Sequence, residues 1–519
     1  MKKVIIKTVL TIFSLALLSG CGGRRDVYNQ ALEILGPFPV SGGLCFLNRT
    51  LSEIVRLRVT EEDSLTIDRS YLRYHPLKIV EVDNNSRLAV LHDGRDQPGI
   101  ALLDPSTLRE QDFLPLSEQF DSLALAPTSR FGVAYFSGSS SSPQGIRNLN
   151  QIQIVDFSSP RADPPVALET GGLSPRGIDF LPAGSGDFDD IAVVRVDNGL
   201  VLIDMRSPAQ EPLWVRFTNS PGGLSVPAEV VFGTFYADGG YIFVRLQGAD
   251  DVLSIRLTRS DGFLRRTINF LNVPADSYPT DLSVLGDGPF NDKVFVVYGT
   301  SQGKAAILDA NAIQTDEKNF TFGLPVTQSR LLMADDGIKR FVAVFQPNSS
   351  SSRVYLVDPE TGDSQTVYLQ DRFDQVSGPQ DGSYLVVFHP SLGDTQTPGM
   401  RVIRMTRHPT SGKYTHRIAT YALTKDISSY AFTGNGMNML ASLHNDTVTF
   451  VLDLDSGEYL AIDLDKQPLA TGLIPKTNWS YFHHAHPLGS VTFVPLDHFS
   501  RARAVMLEGF VMEGLLDPR

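Results

Sequence analysis

Six histidines are the side chains of this sequence best suited to chemistry, because imidazole binds transition metals when neutral and changes its charge near pH 6. Four of them stand at the end of an apolar, strand-like run, and the last of these runs carries two more. Together they form a candidate binding face. Its members are His92, His389, His444, His483, His484 and His486.

The same histidines also fit a plainer role as the polar ends of β-hairpins. The runs that they follow belong to different repeats, which stand too far apart for their histidines to share one ion easily. No carboxylate lies at a spacing that would complete a ligand set. We therefore assign the six residues to a binding face and predict no metal site and no cofactor.

Several sequence motifs of common enzymes are missing. The chain has no phosphate-binding P-loop and no His-Glu-x-x-His zinc motif. Its two cysteines are too few for a thiolate zinc cluster, which needs three or four ligands. We assign no catalytic residue and expect a protein that is not an enzyme.

A two-strand unit recurs along most of the chain. An apolar strand rich in Val, Phe and Leu is followed by a polar turn and a second apolar strand, as in 87–91 with 99–104 and in 340–345 with 353–358. The residue that follows the second strand recurs at intervals of roughly 50 residues. These ten positions are Arg58, Asp104, Asp156, Asp204, Arg256, Asp309, Asp358, Arg404, Asp453 and Pro495.

A period of about 40 to 50 residues with room for four short strands is typical of a β-propeller blade. After Asp358, residues 365–369 alternate like an outer strand, and 373–377 fit the start of the next inner strand. We predict an all-β fold, a single β-propeller of four-stranded blades over residues 37–519. A series of stacked β-sandwiches is the competing architecture.

The number of repeats exceeds the four to eight blades that propellers usually contain. Two interpretations are open. Either the ring is unusually large, or the units near Arg58 and Pro495 form a partial blade or an appended sheet. We predict a single ring of eight or more blades, with up to ten repeats.

The repeats resemble those of the YVTN and WD-type propellers of bacterial surface and periplasmic proteins, although none carries a Trp-Asp pair. Some propellers, the lactonases, bind calcium through scattered acidic residues in the central channel. A calcium-dependent propeller hydrolase is therefore the alternative function. Its candidate residues are Asp83-Asn84-Asn85 and Asp281, near the predicted inner strands.

The first twenty residues have the pattern of an export signal. Three lysines accompany an apolar stretch over 8–18, which is shorter than the roughly 20 residues that cross a bilayer. Leu18-Ser19-Gly20-Cys21 then resembles the lipobox of bacterial lipoproteins. This resemblance implies a signal peptide over 1–20, a diacylglyceryl group on Cys21, acylation of the new amino terminus, and a lipidated tether over 21–36.

Two or more acyl chains give stable membrane attachment, whereas one binds only marginally. Gly22, rather than Asp, follows the cysteine, and by the same resemblance this favours the outer membrane. The second cysteine, Cys45, lies between apolar neighbours and is predicted to be a buried, unreactive strand thiol.

Composition and loop lengths narrow the class of partner. The formal net charge of −13 argues against nucleic acid, whose phosphates are bound mainly by Lys and Arg. Four insertions, at 137–151, 220–227, 347–352 and 389–399, are predicted to lie on one face, and the first contains the run Ser139 to Ser142. We expect a lipid-anchored binding or scaffold module of the bacterial cell envelope, whose partner is an envelope protein or glycan.

Overall fold

Strands make up nearly all the regular structure of this protein. The computed structural model describes residues 31–60, 64–93, 97–137, 148–158, 166–170, 174–217, 227–271, 277–286, 290, 292–311, 316–350 and 352–511. Within these ranges, forty strands form ten four-stranded antiparallel sheets, and each sheet consists of four strands that are consecutive in the chain. The sheets are the ten blades of one β-propeller, which confirms the predicted fold class.

The strands of blades 1 to 5 are β1 Ile34–Val40, β2 Gly43–Asn48, β3 Glu53–Val59, β4 Leu65–Tyr71, β5 Pro76–Val82, β6 Arg87–His92, β7 Gly99–Leu103, β8 Glu110–Pro115, β9 Ser122–Leu125, β10 Phe131–Tyr135, β11 Gln151–Asp156, β12 Val166–Glu169, β13 Gly177–Phe180, β14 Ile191–Val196, β15 Gly199–Asp204, β16 Leu213–Arg216, β17 Pro227–Phe232, β18 Gly240–Leu246, β19 Val252–Ser260 and β20 Phe263–Leu271.

The strands of blades 6 to 10 are β21 Pro279–Val284, β22 Lys293–Tyr298, β23 Lys304–Asp309, β24 Asp316–Thr321, β25 Gln328–Met333, β26 Arg340–Phe345, β27 Arg353–Val357, β28 Ser364–Tyr368, β29 Gln375–Ser377, β30 Leu385–His389, β31 Gly399–Arg407, β32 Tyr414–Ala422, β33 Ile427–Phe432, β34 Asn438–Leu443, β35 Val448–Asp453, β36 Tyr459–Asp463, β37 Pro468–Leu473, β38 Trp479–His484, β39 Ser490–Pro495 and β40 Val505–Glu508. Short 3-10 helices occupy Gly186–Phe188, Gly393–Thr395 and Arg501–Arg503.

The first strand of each blade lies innermost and faces the central channel. Inner strands of adjacent blades approach one another, as β21 does with β25 and β33 with β37. The fourth strand forms the outer edge; in β36, for example, Tyr459 and Leu460 are exposed. The outer strand β28 and the inner strand β29 fall where the sequence predicts them, after Asp358.

The second and third strands of each blade are buried on both faces, which explains their unbroken apolar runs. In β6, Leu88 and Val90 pack against blade 1, whereas Ala89 and Leu91 pack against blade 3. Each of the ten pairs of adjacent blades has one such apolar cluster. Because burial of one Val or Leu side chain contributes about 1.5 to 3 kcal/mol, these clusters hold the ring together.

Side chains close the ring at a seam between blades 1 and 10. Phe46 of β2 lies in one cluster with Trp479 and Phe493 of blade 10, and its ring centroid is 4.8 Å from that of Phe510. The backbone N–H of Gly42 also donates a hydrogen bond to the carbonyl of Pro475 at 3.0 Å. Within the described residues, each of the two terminal sheets consists of its own four consecutive strands.

The two terminal repeats form full blades, so the ring is of the unusually large kind. Arg58 lies in β3 of blade 1, and Pro495 ends β39 of blade 10. The first strand begins at Ile34, three residues before the start of the propeller placed at residue 37 from the sequence. The reason is that Leu32 and Ile34 pack on the seam cluster.

Aspartates at the ends of third strands start the turns to the outer strands, as their sequence pattern predicts. The Oδ1 atom of Asp104 accepts hydrogen bonds from the N–H groups of Ser106 and Thr107 at 2.8 and 3.0 Å. Asp358 and Asp453 make the same pair of bonds with the residues two and three positions later. This local chemistry ends the third strand of each of these blades in the same way.

Cys45 is the buried strand residue that the sequence predicts. It lies in β2 with no exposed surface and forms no disulfide. Burial raises the pKa of its thiol to about 12, so the nucleophilic thiolate is scarcely populated near neutral pH. Cys21 and the rest of the signal and lipobox region lie outside the described residues. Within the described residues, no helix has the length and hydropathy needed to span a bilayer.

Replacing Phe46 with Ala should weaken the seam specifically. We expect the free energy of unfolding to fall by about 3 to 5 kcal/mol, as for other buried Phe to Ala changes. In a Trp214→Phe background, the emission of Trp479 reports on the seam and should shift to the red before global unfolding. Phe243→Ala, in the cluster between blades 5 and 6, is the matched control. An early shift of the same size in that control would contradict a local effect.

Candidate functional site in the loops and the channel wall

Three of the six candidate histidines share one structural position, the last residue of a second strand. They are His92 in β6, His389 in β30 and His484 in β38. His484, and not its neighbour His483, is therefore the equivalent residue in blade 10. Because alternate side chains point to opposite faces of a strand, this shift of one residue places the two rings on different sides of the blade.

Each of these three histidines ties a hairpin to the crossover that enters its own blade. The Nδ1–H group of His92 donates to the carbonyl of Tyr74 at 3.1 Å. His389 and His484 make the same bond to Arg372 and Gln467, both at 3.0 Å. The three side chains thus fasten the loops that surround them.

Burial disfavours the charged form of these three rings. His92 is buried against Tyr74, whose ring centroid lies 5.8 Å from its own, and burial lowers the pKa of His92 to about 4. Burial also lowers the pKa values of His389 and His484. A charge change near pH 6, one of the two uses considered from sequence, is therefore not expected of His92.

The remaining three histidines lie in other surroundings. His444 follows β34, is exposed, and donates its backbone N–H to the carbonyl of Asp426. His483 packs its half-buried ring 6.0 Å from that of Phe46, at the seam. In His486, Nδ1 accepts the N–H of Leu488 at 3.1 Å. The described part of the chain contains no group of three or more His, Cys, Asp or Glu side chains able to hold a metal ion.

The hairpins between second and third strands share one end of the ring with the crossovers between blades, and we call this end the hairpin face. Backbone bonds link the two kinds of loop, such as Asp93 N–H to the His75 carbonyl at 2.9 Å. In the long hairpin after His389, the N–H of Ser391 donates to the carboxylate of Asp426 at 2.6 Å. Four insertions were predicted for this face, and parts of three of them lie outside the described residues. These parts fall within the undescribed ranges 138–147 and 218–226 and at Ser351.

Polar side chains connect the inner strands of neighbouring blades along the channel wall. Glu81 accepts hydrogen bonds from the N–H and hydroxyl of Ser41, and Lys78 donates to the carbonyl of Leu123 at 2.9 Å. Further around the ring, Gln375 donates to the hydroxyl of Tyr430 at 2.8 Å. These contacts fix the blades at the inner radius, where apolar packing is thinnest.

Asp281, a candidate of the calcium alternative, belongs to this polar wall. Its Oδ2 atom accepts hydrogen bonds from the N–H and the hydroxyl of Ser329, at 2.6 and 2.8 Å. Burial, with the charge of Glu229 as a second cause, raises the pKa of Asp281 to about 7. Glu229 itself pairs with Arg245 at 3.0 Å. A carboxyl whose burial disfavours its charged form, and which already accepts two hydrogen bonds from a neighbouring blade, is a weak ligand for calcium.

The other calcium candidates are turn residues of a different blade. Asp83, Asn84 and Asn85 all have positive φ angles between β5 and β6, a conformation that Asn and Asp tolerate better than most residues. The carboxylate of Asp83 accepts from Arg87 at 2.8 Å. Their turn belongs to blade 2, whereas Asp281 lies in blade 6.

Two local features were not identified from the sequence. Residues 299–303 spell Gly-Thr-Ser-Gln-Gly, which fits the letters of the Gly-x-Ser-x-Gly hydrolase motif. They form the turn between β22 and β23, however, and not the strand-to-helix elbow that exposes a nucleophile. The second feature is a cleft of about 440 Å³ in the channel wall, lined in part by Ser283, Ser329, Arg330, Arg340 and Asp381. Its only sequence signal is an arginine within an inner strand, Arg330.

No protein-family model and no curated protein matches this chain. Several solved structures are similar to it at low sequence identity. A eukaryotic initiation factor is 9% identical, with a TM-score of 0.49 over 92% of this chain and 96% of that chain. The Dos1 propeller is 13% identical, with a TM-score of 0.42 over 73% and 93%. The dihydro-heme d1 dehydrogenase NirN is 15% identical, with a TM-score of 0.42 over 73% of each chain. At these identities and TM-scores the likeness says nothing about what this protein does.

The buried state of His92 predicts a loss of stability in acid. The unfolded chain takes up a proton at this residue near pH 6.5, whereas the folded chain resists protonation down to about pH 4. The free energy of unfolding should therefore fall as the pH drops through this window, and His92→Gln should flatten that dependence. Chemical denaturation at several pH values measures it. The exposed His498→Gln is the control, and an equal flattening in that variant would contradict the assignment.

Proposed function

We propose that this protein is a lipid-anchored, non-catalytic binding module of the bacterial cell envelope that presents its hairpin face to an envelope protein or glycan. The observation that supports this proposal most is the fastening of the hairpins to the crossovers. Hydrogen bonds from His92, His389 and His484 hold the roots of three hairpins in place. Variable loops on a rigid scaffold are the usual site of recognition.

Rigid loops favour binding because less conformational freedom is lost when a partner docks. The hairpin after His389 illustrates this. Besides the bond from Ser391 to Asp426, the side-chain amide of Gln396 donates to the carbonyls of Arg372 and Pro390 at 2.7 and 2.9 Å. Between these anchors, Leu392 remains 39% exposed, so an apolar side chain is offered to a partner on a fixed backbone.

Attachment through Cys21 can be tested directly. Replacing Cys21 with Ala should abolish labelling of the protein by radioactive palmitate and release it from the membrane fraction, because the acyl chains supply the anchoring energy. Cys45→Ala is the control, since that thiol is buried and should leave both labelling and fractionation unchanged. Continued membrane association of the Cys21→Ala protein would contradict a lipid anchor.

The hairpin face can be compared with the opposite end of the ring by two matched surface changes. Leu392→Asp lies on the hairpin face, and Met437→Asp lies in a first-to-second-strand turn; the two side chains are 39% and 45% exposed. In crosslinking within intact cells, the yield of the partner adduct should fall about fivefold or more for Leu392→Asp only. Deleting Ser139–Ser142, which lie outside the described residues, should also lower the yield without unfolding the ring.

Two results would overturn the proposal. Equal losses of adduct yield in Leu392→Asp and Met437→Asp would mean that partner binding does not depend on the hairpin face. Stoichiometric calcium in protein purified without added metal, together with turnover of lactone substrates, would favour the propeller hydrolase instead.

A further inference from the structure

Arg330 is a half-buried cation in the channel wall. It lies in the inner strand β25, where its Nη2 group donates a hydrogen bond to the carbonyl of Gly378 at 2.8 Å. Burial lowers the pKa of its guanidinium. None of the carboxylates in the described ranges forms an ion pair with Arg330. Its charge is therefore partly desolvated without a counterion.

Two other half-buried arginines near the channel do have carboxylate partners. Arg195 pairs with Asp179 at 2.8 Å, and Arg245 pairs with Glu229 at 3.0 Å. Partial burial of a charge is costly unless an opposite charge or hydrogen bonds compensate for it. Among the described residues, the hydrogen-bond partner of the Arg330 guanidinium is the Gly378 carbonyl, which leaves most of its five N–H donors for another group.

Other polar side chains line the channel-wall cleft with Arg330. The hydroxyls of Ser283 and Ser329 lie 2.9 Å apart, and the Ser329 hydroxyl donates its proton to Asp281 of blade 6, so these two groups position one another. The guanidinium of Arg340 lines the same cleft, held by the carbonyl of Leu285 at 3.0 Å. Arg340 lies across Gly286, where a Cβ atom would come within 1.6 Å of its Nη1, so glycine is required for this arrangement.

One acidic group lines the cleft, and a second contacts one of its lining residues. Asp381 lies on the rim, and its Oδ1 atom accepts hydrogen bonds from the N–H and hydroxyl of Ser383 at 3.0 and 2.8 Å. Asp281 approaches from blade 6 and is bound by Ser329. Burial raises the pKa of Asp281, which lowers the negative charge that it brings near the cleft.

We propose that the channel-wall cleft binds a small polar molecule through a phosphate or carboxylate group, which pairs with the guanidinium of Arg330. A guanidinium matches both oxyanions with two parallel hydrogen bonds. The volume of about 440 Å³ is that of a small-molecule site and exceeds what a lone inorganic ion needs. The cleft lies beside first-to-second-strand turns, so this proposal does not depend on the hairpin face.

Calorimetric titration of the full chain with three sugars tests the proposal and separates the two anions. Glucose 6-phosphate carries a phosphate, glucuronate a carboxylate, and glucose neither group. We expect binding of at least one charged sugar and none of glucose. Arg330→Gln should weaken that binding about tenfold or more. Arg330→Lys should weaken it less, because lysine retains the positive charge but cannot make two parallel hydrogen bonds to the anion.

Asp381→Asn gives an independent measurement, because removing a negative charge from the rim should strengthen binding of the anion. Arg353→Gln is the matched control; this arginine belongs to the same blade but stacks on Tyr368 at 5.0 Å, on the outer side. Thermal unfolding of each variant confirms that the ring is intact. The proposal is overturned if no charged sugar binds at millimolar concentration, if glucose binds equally well, or if Arg330→Gln and Arg353→Gln have the same effect.

Discussion

A β-strand directs alternate side chains to its two faces, and in this protein both faces of the middle strands are apolar. Such a sheet cannot bury its surface alone and needs a neighbouring sheet on each side. Strand β6 shows this rule, because its Leu88 and Val90 pack against blade 1, whereas Ala89 and Leu91 pack against blade 3. A row of sheets under this constraint is satisfied only when the last meets the first, as Phe46 and Phe493 do.

The size of the ring explains why its inner wall is polar. Ten inner strands spaced by about 10 Å have a circumference of roughly 100 Å, so the radius is too large for side chains to fill the centre. The inner strands consequently face water and carry residues such as Lys78, Asp281 and Arg330. These side chains bind one another, or the backbone, across blade boundaries. The channel wall therefore offers chemistry that a smaller, packed ring would exclude.

Features that depend on a few consecutive residues could be predicted from the sequence, whereas features that unite distant residues could not. The repeat and the Asp turns were visible because each depends on a few consecutive residues, as Asp104 and its two N–H donors show. The histidine positions were predicted less accurately, since one residue separates His483 from His484 and reverses the face. The cleft around Arg330 was not found, because it unites residues of three blades whose meeting is fixed only by the ring. Cys21 lies outside the described residues, so its lipidation stays a prediction.

Each blade is built from one uninterrupted stretch of chain, and the first and last blades meet at a seam held by side-chain packing and a backbone hydrogen bond. The seam is the junction between adjacent blades that no crossover bridges, whereas each of the other nine junctions has one. Opening the chain at a crossover and joining its present ends by a linker would leave all ten sheets whole. Gene segments that encode single blades are likewise self-contained units, so duplication of one segment would enlarge the ring without altering how it closes.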